Sequence, residues 1–152
     1  MELHRPLATY VNEKGFTIFE MLIVTGILAI ILAIGIPISW NFYLDYELVY
    51  EQKTLNSLLG YARNLSMVNS GEAAHGLYID SSNFVVFEGN SYASRNVNAD
   101  KPFPRSSAIT ITGPVEQWFL PLSGQTSSST FGVSNGRKTF TTYVNSEGRI
   151  EW

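Results

Sequence analysis

The sequence predicts an α+β protein, a long N-terminal helix packed on a C-terminal antiparallel β-sheet head, and three observations carry that expectation. Met21 to Trp40 is a run of twenty uncharged, mostly apolar residues; apolar residues then recur at spacings of three, four or seven; beyond Gly71 the pattern turns to alternation. A chain of 152 residues has room for one domain plus such a helix.

The apolar run comes first. At about 1.5 Å per residue it makes a helix of roughly 30 Å, the thickness of a bilayer's hydrocarbon core, so residues 16–40 are expected to cross a membrane once. Glu20 is the sole charge between Phe16 and Asn41. An ionisable group in such a segment is rare without a partner. A secretory signal peptide has a shorter apolar region, about 7–15 residues, with a small-residue cleavage site behind it. Here Ile36-Pro37-Ile38-Ser39-Trp40-Asn41-Phe42-Tyr43 follows instead, which is bulky. A plain signal anchor fits the length but gives no reason for Gly15 or Glu20.

The helical pattern then continues through residues 41–70 with an amphipathic period. Leu44, Leu48, Leu55, Leu58, Ala62 and Leu65 share a face, whereas Asp45, Glu47, Gln52, Lys53, Asn56 and Asn64 fall elsewhere. Asn69-Ser70-Gly71 closes the run, with Gly71 suited to the left-handed conformation that ends helices. Pro37 removes a backbone donor, so a kink or local opening is expected there. Gly26, Gly35 and Gly60 loosen the helix or permit close approach of a neighbour.

Residues 71–152 read as a β-rich head. Gly76–Ile79 and Phe84–Phe87 flank the turn-like Asp80-Ser81-Ser82-Asn83 and form an expected hairpin. Ala108–Thr112 and Gln117–Leu120 give short strands. Thr130–Ser134 and Lys138–Val144 flank Asn135-Gly136, which suits a two-residue type I′ turn. Arg149–Trp152 is the expected last strand, and Gly89–Arg105 and Ser123–Ser129 are the expected loops.

Composition narrows the function. The net charge of −3 argues against a broadly basic nucleic-acid surface. The absence of cysteine removes disulfides and thiolate metal sites. Of the two histidines, His4 lies near the N-terminus and His75, at the exit of the helix, is expected on the surface. Neither sits in a catalytic motif, and no glycine-rich phosphate loop or H-E-x-x-H is present. Asp80–Asn83 lacks the further carboxylates of a calcium loop. No enzyme activity, cofactor or metal is expected.

The segment Gly15-Phe16-Thr17-Ile18-Phe19-Glu20-Met21-Leu22-Ile23-Val24 resembles the processing site of type IV pilins and type II secretion pseudopilins, and the likeness extends from Lys14 to about Pro37. The resemblance implies a pilin fold. It implies that residues 1–15 are a leader removed by a prepilin peptidase after Gly15, and that Phe16 becomes the N-methylated first residue. The leader carries two acidic and two basic residues, so its loss leaves the net charge unchanged. The resemblance also assigns assembly roles to Glu20, which pairs with a neighbouring subunit's amino terminus, and to Pro37, where assembled filaments lose helical structure.

The partners it implies are the membrane before assembly, other pilins or pseudopilins in a helical filament, an assembly platform protein and a motor ATPase. The head is then outside the cytoplasm, in an extracellular pilus or periplasmic pseudopilus. Tyr61-Ala62-Arg63, the strand rhythm and Gly148-Arg149-Ile150 are similar to the GspH/FimT branch of pseudopilins and minor pilins. Some competence pilins of that branch bind DNA through a terminal Gly-Arg-any-Arg pattern. Here Glu151 stands in place of the second arginine, which argues against DNA. Convergence of Arg137, Lys138 and Arg149 into a small basic patch is the alternative, a DNA- or surface-binding tip pilin.

Overall fold

The structure, a computed structural model, describes residues 15–152. The expected leader up to Lys14, with His4, therefore lies outside the described residues. Two units divide the chain, Met1–Ser39 and Trp40–Trp152, and helix α1, Ile18–Met67, belongs to both.

In the first unit α1 stays helical through Gly26, Gly35 and Pro37. The local opening expected at Pro37 is therefore absent from this chain's helix. The proline nitrogen has no hydrogen to give the Ala33 carbonyl, but one missing bond does not end a helix. Every side chain from Ile18 to Ile36 is exposed.

In the second unit the apolar stripe does its expected work. Leu48, Leu55, Leu58, Leu59 and Ala62 are buried against Leu77, Phe84, Val86, Phe119, Phe131, Val133 and Val144, and Leu65 packs at the margin. Each buried leucine or phenylalanine stabilises by about 1.5–3 kcal/mol through loss of apolar surface to water.

Two four-stranded antiparallel sheets supply the other side of this core. The first runs in the order β3 (Lys101–Pro104), β2 (Asn83–Glu88), β1 (His75–Ile79), β5 (Glu116–Phe119). The second runs β4 (Thr110–Thr112), β6 (Ser129–Ser134), β7 (Thr139–Val144), β8 (Ile150–Glu151). The architecture is the expected one, a long helix packed on antiparallel sheets.

The expected β1–β2 hairpin forms, with Leu77 opposite Val86 and Ile79 opposite Phe84. Its outer face is covered too. Tyr92 stacks on Tyr78 at 3.7 Å, meets Phe87 edge-on at 5.7 Å, and carries the Arg95 guanidinium 3.6 Å above its own ring. A Cβ on Gly76 would come within 2.5 Å of the Phe87 ring, so glycine is required there by close approach.

Several expectations need correction. Residues 89–105 are not simply a loop: they hold two short 3₁₀ turns and strand β3. That strand contains Pro102 and Pro104, which fit because β3 is an edge and pairs on one side alone. The last strand is Ile150–Glu151 rather than Arg149–Trp152. The turn between β6 and β7 is centred on Gly136-Arg137, because the Asn135 N–H donates to the Lys138 carbonyl at 3.2 Å. Gly136 alone has positive φ there, at 81°, whereas a type I′ turn requires it at both central residues. Asn69 and Glu72 join Gly71 in the left-handed region at the helix exit.

Two polar residues are also deeper than the pattern implied. Asn56 is buried, its side-chain oxygen accepting from the Thr142 hydroxyl at 2.8 Å. His75 is 4% exposed rather than on the surface.

Candidate functional site

The processing segment lies at the entry to α1. Thr17 precedes the helix, and its hydroxyl accepts the Glu20 N–H at 3.2 Å while its carbonyl accepts the Met21 N–H at 3.1 Å. Thr17 is therefore the N-cap. Thr17-Ile18-Phe19-Glu20 has the S/T-x-x-E spacing of a capping box, a signal present in the sequence that the pattern of apolar residues alone overlooks. Glu20 thus has a local use, as an acid in the first turn of a helix, where the macrodipole favours it. Its carboxylate is exposed and forms no ion pair among the described residues.

Among the described residues nothing crowds Gly15: a Cβ there would meet none of them within 4 Å. Gly148 is the contrast: φ is 77° and a Cβ would fall 2.0 Å from the Gly124 carbonyl. Glycine at 148 serves the fold.

From Met21 to Ile36 the helix is mostly apolar on every side and uncovered by any described residue. Phe19, Leu22, Ile23, Val24, Ile27 and Leu28 are all exposed. The few hydroxyls are satisfied inside the helix, Thr25 donating to the Met21 carbonyl at 2.9 Å and Ser39 to the Gly35 carbonyl at 3.0 Å. Such a surface needs lipid or other apolar chains. α1 is long and apolar enough to cross a membrane.

Residues 11–36 match the family described as the prokaryotic N-terminal methylation motif.

The matched segment contains Gly15, Phe16 and Glu20 and stops before Pro37 and the β head. The motif supports a type IV pilin-like family, a processed subunit and a membrane-anchored helix, and the α+β architecture is pilin-like. No curated protein and no solved structure matches the chain.

The basic residues of the head do not converge. Arg137 and Lys138 sit at the β6–β7 turn, whereas Arg149 precedes β8, which pairs with the far end of β7 through Tyr143 and Val144. Lys138 Nζ lies 2.7 Å from Asp45 Oδ2, and this bond, with a second from Asn135, holds the Asp45 carboxyl below the usual range. Arg149 Nε lies 3.0 Å from Glu151 Oε1.

His75 faces the Glu88 carboxylate at 3.9 Å beneath the helix exit. Burial depresses its pKa, an effect that Glu88 and the Ala73 carbonyl oppose and Lys101 reinforces. It packs at the helix-to-sheet joint, where its own backbone N–H donates to the Ser66 hydroxyl at 2.8 Å.

Proposed function

We propose that this chain is a structural subunit, a minor pilin or pseudopilin, of a type IV pilus or type II secretion filament. The observation that carries the reading is the methylation motif at residues 11–36 placed directly before an exposed apolar helix. A prepilin peptidase cuts between Gly15 and Phe16 and the new amino group is methylated. Gly15 is compatible with this assignment, since it lies inside the matched motif and no described residue crowds it.

The function is assembly. The helix holds the subunit in the cytoplasmic membrane with the β head outside the cytoplasm. On extraction, driven by a platform protein and motor ATPase, the helix exchanges lipid for the apolar helices of other pilins. Glu20 then pairs with the amino terminus of a neighbouring subunit's Phe16, a pairing that low dielectric strengthens once water is removed. The strand rhythm and the Gly148-Arg149-Ile150 segment favour the GspH/FimT branch. A DNA-binding tip subunit is the weaker reading, since Lys138 and Arg149 are each engaged by a carboxylate.

Mass spectrometry of the chain purified from membranes or filaments tests the proposal. It should find a chain beginning at N-methylated Phe16. Recovery of the uncleaved chain from filaments contradicts it.

A further inference from the structure

Beside β5 the head carries a groove of about 550 Å³, within the roughly 300–1,000 Å³ range of small-molecule sites. Trp118 and Leu120 form its apolar wall. Around them stand Gln125, Ser127, Ser146 and Glu147, all exposed. None of these four side chains has a hydrogen-bond partner among the described residues; their backbones alone are engaged.

The walls are nonetheless braced. Gln117 is 3% exposed, and its side-chain nitrogen donates to the Thr126 hydroxyl and, at 2.9 Å, to the Ser127 carbonyl. The Thr126 hydroxyl donates to the Trp118 carbonyl, and its N–H donates to the Ser146 carbonyl at 3.1 Å. β5, the 125–127 segment and the turn at 146 are therefore tied together, leaving free side chains on a fixed frame. A site pre-organised in this way loses less entropy on binding.

We propose that this groove binds a neutral saccharide. The apolar face of a sugar ring stacks on the Trp118 indole, and its hydroxyls satisfy the Gln125 amide, the Ser127 and Ser146 hydroxyls and the Glu147 carboxylate. A purely apolar ligand would desolvate those four groups without return. An anion would meet Glu147, the one charged side chain in the lining. An added peptide strand would have to displace bonds already made at this edge, where Thr126 takes the Trp118 carbonyl and, just past β5, Gln125 takes the Leu120 N–H at 2.7 Å. A lone carboxylate without a second one opposite implies binding rather than glycoside cleavage. The groove lies wholly in the head, so the proposal is independent of processing after Gly15.

The test uses the full chain in micelles of a detergent without a sugar headgroup, with Trp40→Phe and Trp152→Phe so that fluorescence reports Trp118 alone. Glucose, galactose and N-acetylglucosamine are titrated in turn. At least one should give a saturable change, with a dissociation constant on the order of millimolar. Gln125→Ala and Glu147→Gln, both at exposed positions, should each weaken it several-fold, and Trp118→Ala, followed by NMR of the sugar, should abolish it. Absence of a saturable response to all three sugars overturns the proposal. So does unchanged binding in the Gln125→Ala/Glu147→Gln double variant, or a response to an oligopeptide with none to sugars.

Discussion

The Ser66 hydroxyl in the last turn of α1 accepts the backbone N–H of His75 at 2.8 Å. The same hydroxyl donates to the Phe119 carbonyl at 3.0 Å, and Ser66 is fully buried. One side chain thus ties the helix to β1 and β5. Ser66→Ala leaves a buried N–H and a carbonyl unsatisfied, so stability should fall by about 1–3 kcal/mol. Chemical denaturation followed by circular dichroism checks this, and an unchanged midpoint would show that the joint is held elsewhere.

The His75 side chain adds a pH dependence to the same joint. Burial lowers its folded pKa below the ordinary value of 6.5, so the unfolded chain binds the proton more readily. Stability from this group is complete above pH 6.5 and declines as the pH falls through that value toward the folded pKa. Glu51 runs in the opposite direction: burial raises its pKa against the pull of Ser106 and Arg105, so it favours the fold as pH drops. The comparison to make is therefore wild type against His75→Gln, melted at a series of pH values. The difference should grow in favour of the variant on acidification, and a constant difference would remove His75 from the account.

Arg105 is the countercharge for that buried acid. Glu51 Oε1 lies 3.5 Å from Arg105 Nε, with side-chain exposures of 1% and 9%, and Arg105 also donates to the Asp80 and Ile109 carbonyls at 2.8 and 2.7 Å. Arg105→Met should destabilise by about 3–5 kcal/mol because it strands a buried carboxylate. Glu51→Gln/Arg105→Met should recover part of that loss in urea titrations. Failure of the double variant to recover any stability would mean the charges are not coupled.

The division of the chain at Ser39 and Trp40 also predicts a separable head. A fragment from Tyr43 to Trp152 keeps every residue of the hydrophobic core and sheds the exposed apolar helix. It should be a soluble, cooperatively folding monomer with a mixed α and β circular dichroism spectrum. Aggregation under all conditions, or a spectrum without β signal, would contradict the two-part organisation.

Local periodicity made much of this fold legible. The Leu48, Leu55, Leu58 and Ala62 stripe is set by which face meets the core, and the unbroken apolar run Phe84–Phe87 of β2 is buried on both faces; both are local patterns. β3 was hidden because Pro102 and Pro104 read as breakers, and only its place at a sheet edge makes them tolerable. Asn135 read as a turn residue in its own right. In the fold its Oδ1 does accept the Arg137 and Lys138 N–H groups of the turn at 3.0 and 2.8 Å, but its amide nitrogen also reaches α1, donating to the Leu44 carbonyl at 3.3 Å and to Asp45 Oδ1 at 2.9 Å, and the turn shifts by one residue. The burial of Glu51, Asn56 and His75 likewise depends on partners distant in sequence. The processing segment is the opposite case, a linear signal from Gly15 to Glu20 that needs no fold to be read. The Trp118 groove draws on three separate segments, and no window of sequence contains it.

The central claim is that Glu20 serves assembly rather than anchoring, and its removal is the most direct test. A mere anchor should tolerate Glu20→Ala, or insert slightly better on losing a costly group. A filament subunit would be left with a neighbour's charged amino terminus unpaired in an apolar core, a penalty of about 3–5 kcal/mol. Loss of the first-turn acid itself, with the Thr17 cap retained, accounts for only about 0.3–1 kcal/mol. The measurement is the amount of Glu20→Ala chain in sheared filaments, by immunoblot, beside its cleavage state in membranes. The account predicts normal cleavage after Gly15, normal membrane retention and severely reduced incorporation; incorporation at the wild-type level would contradict it.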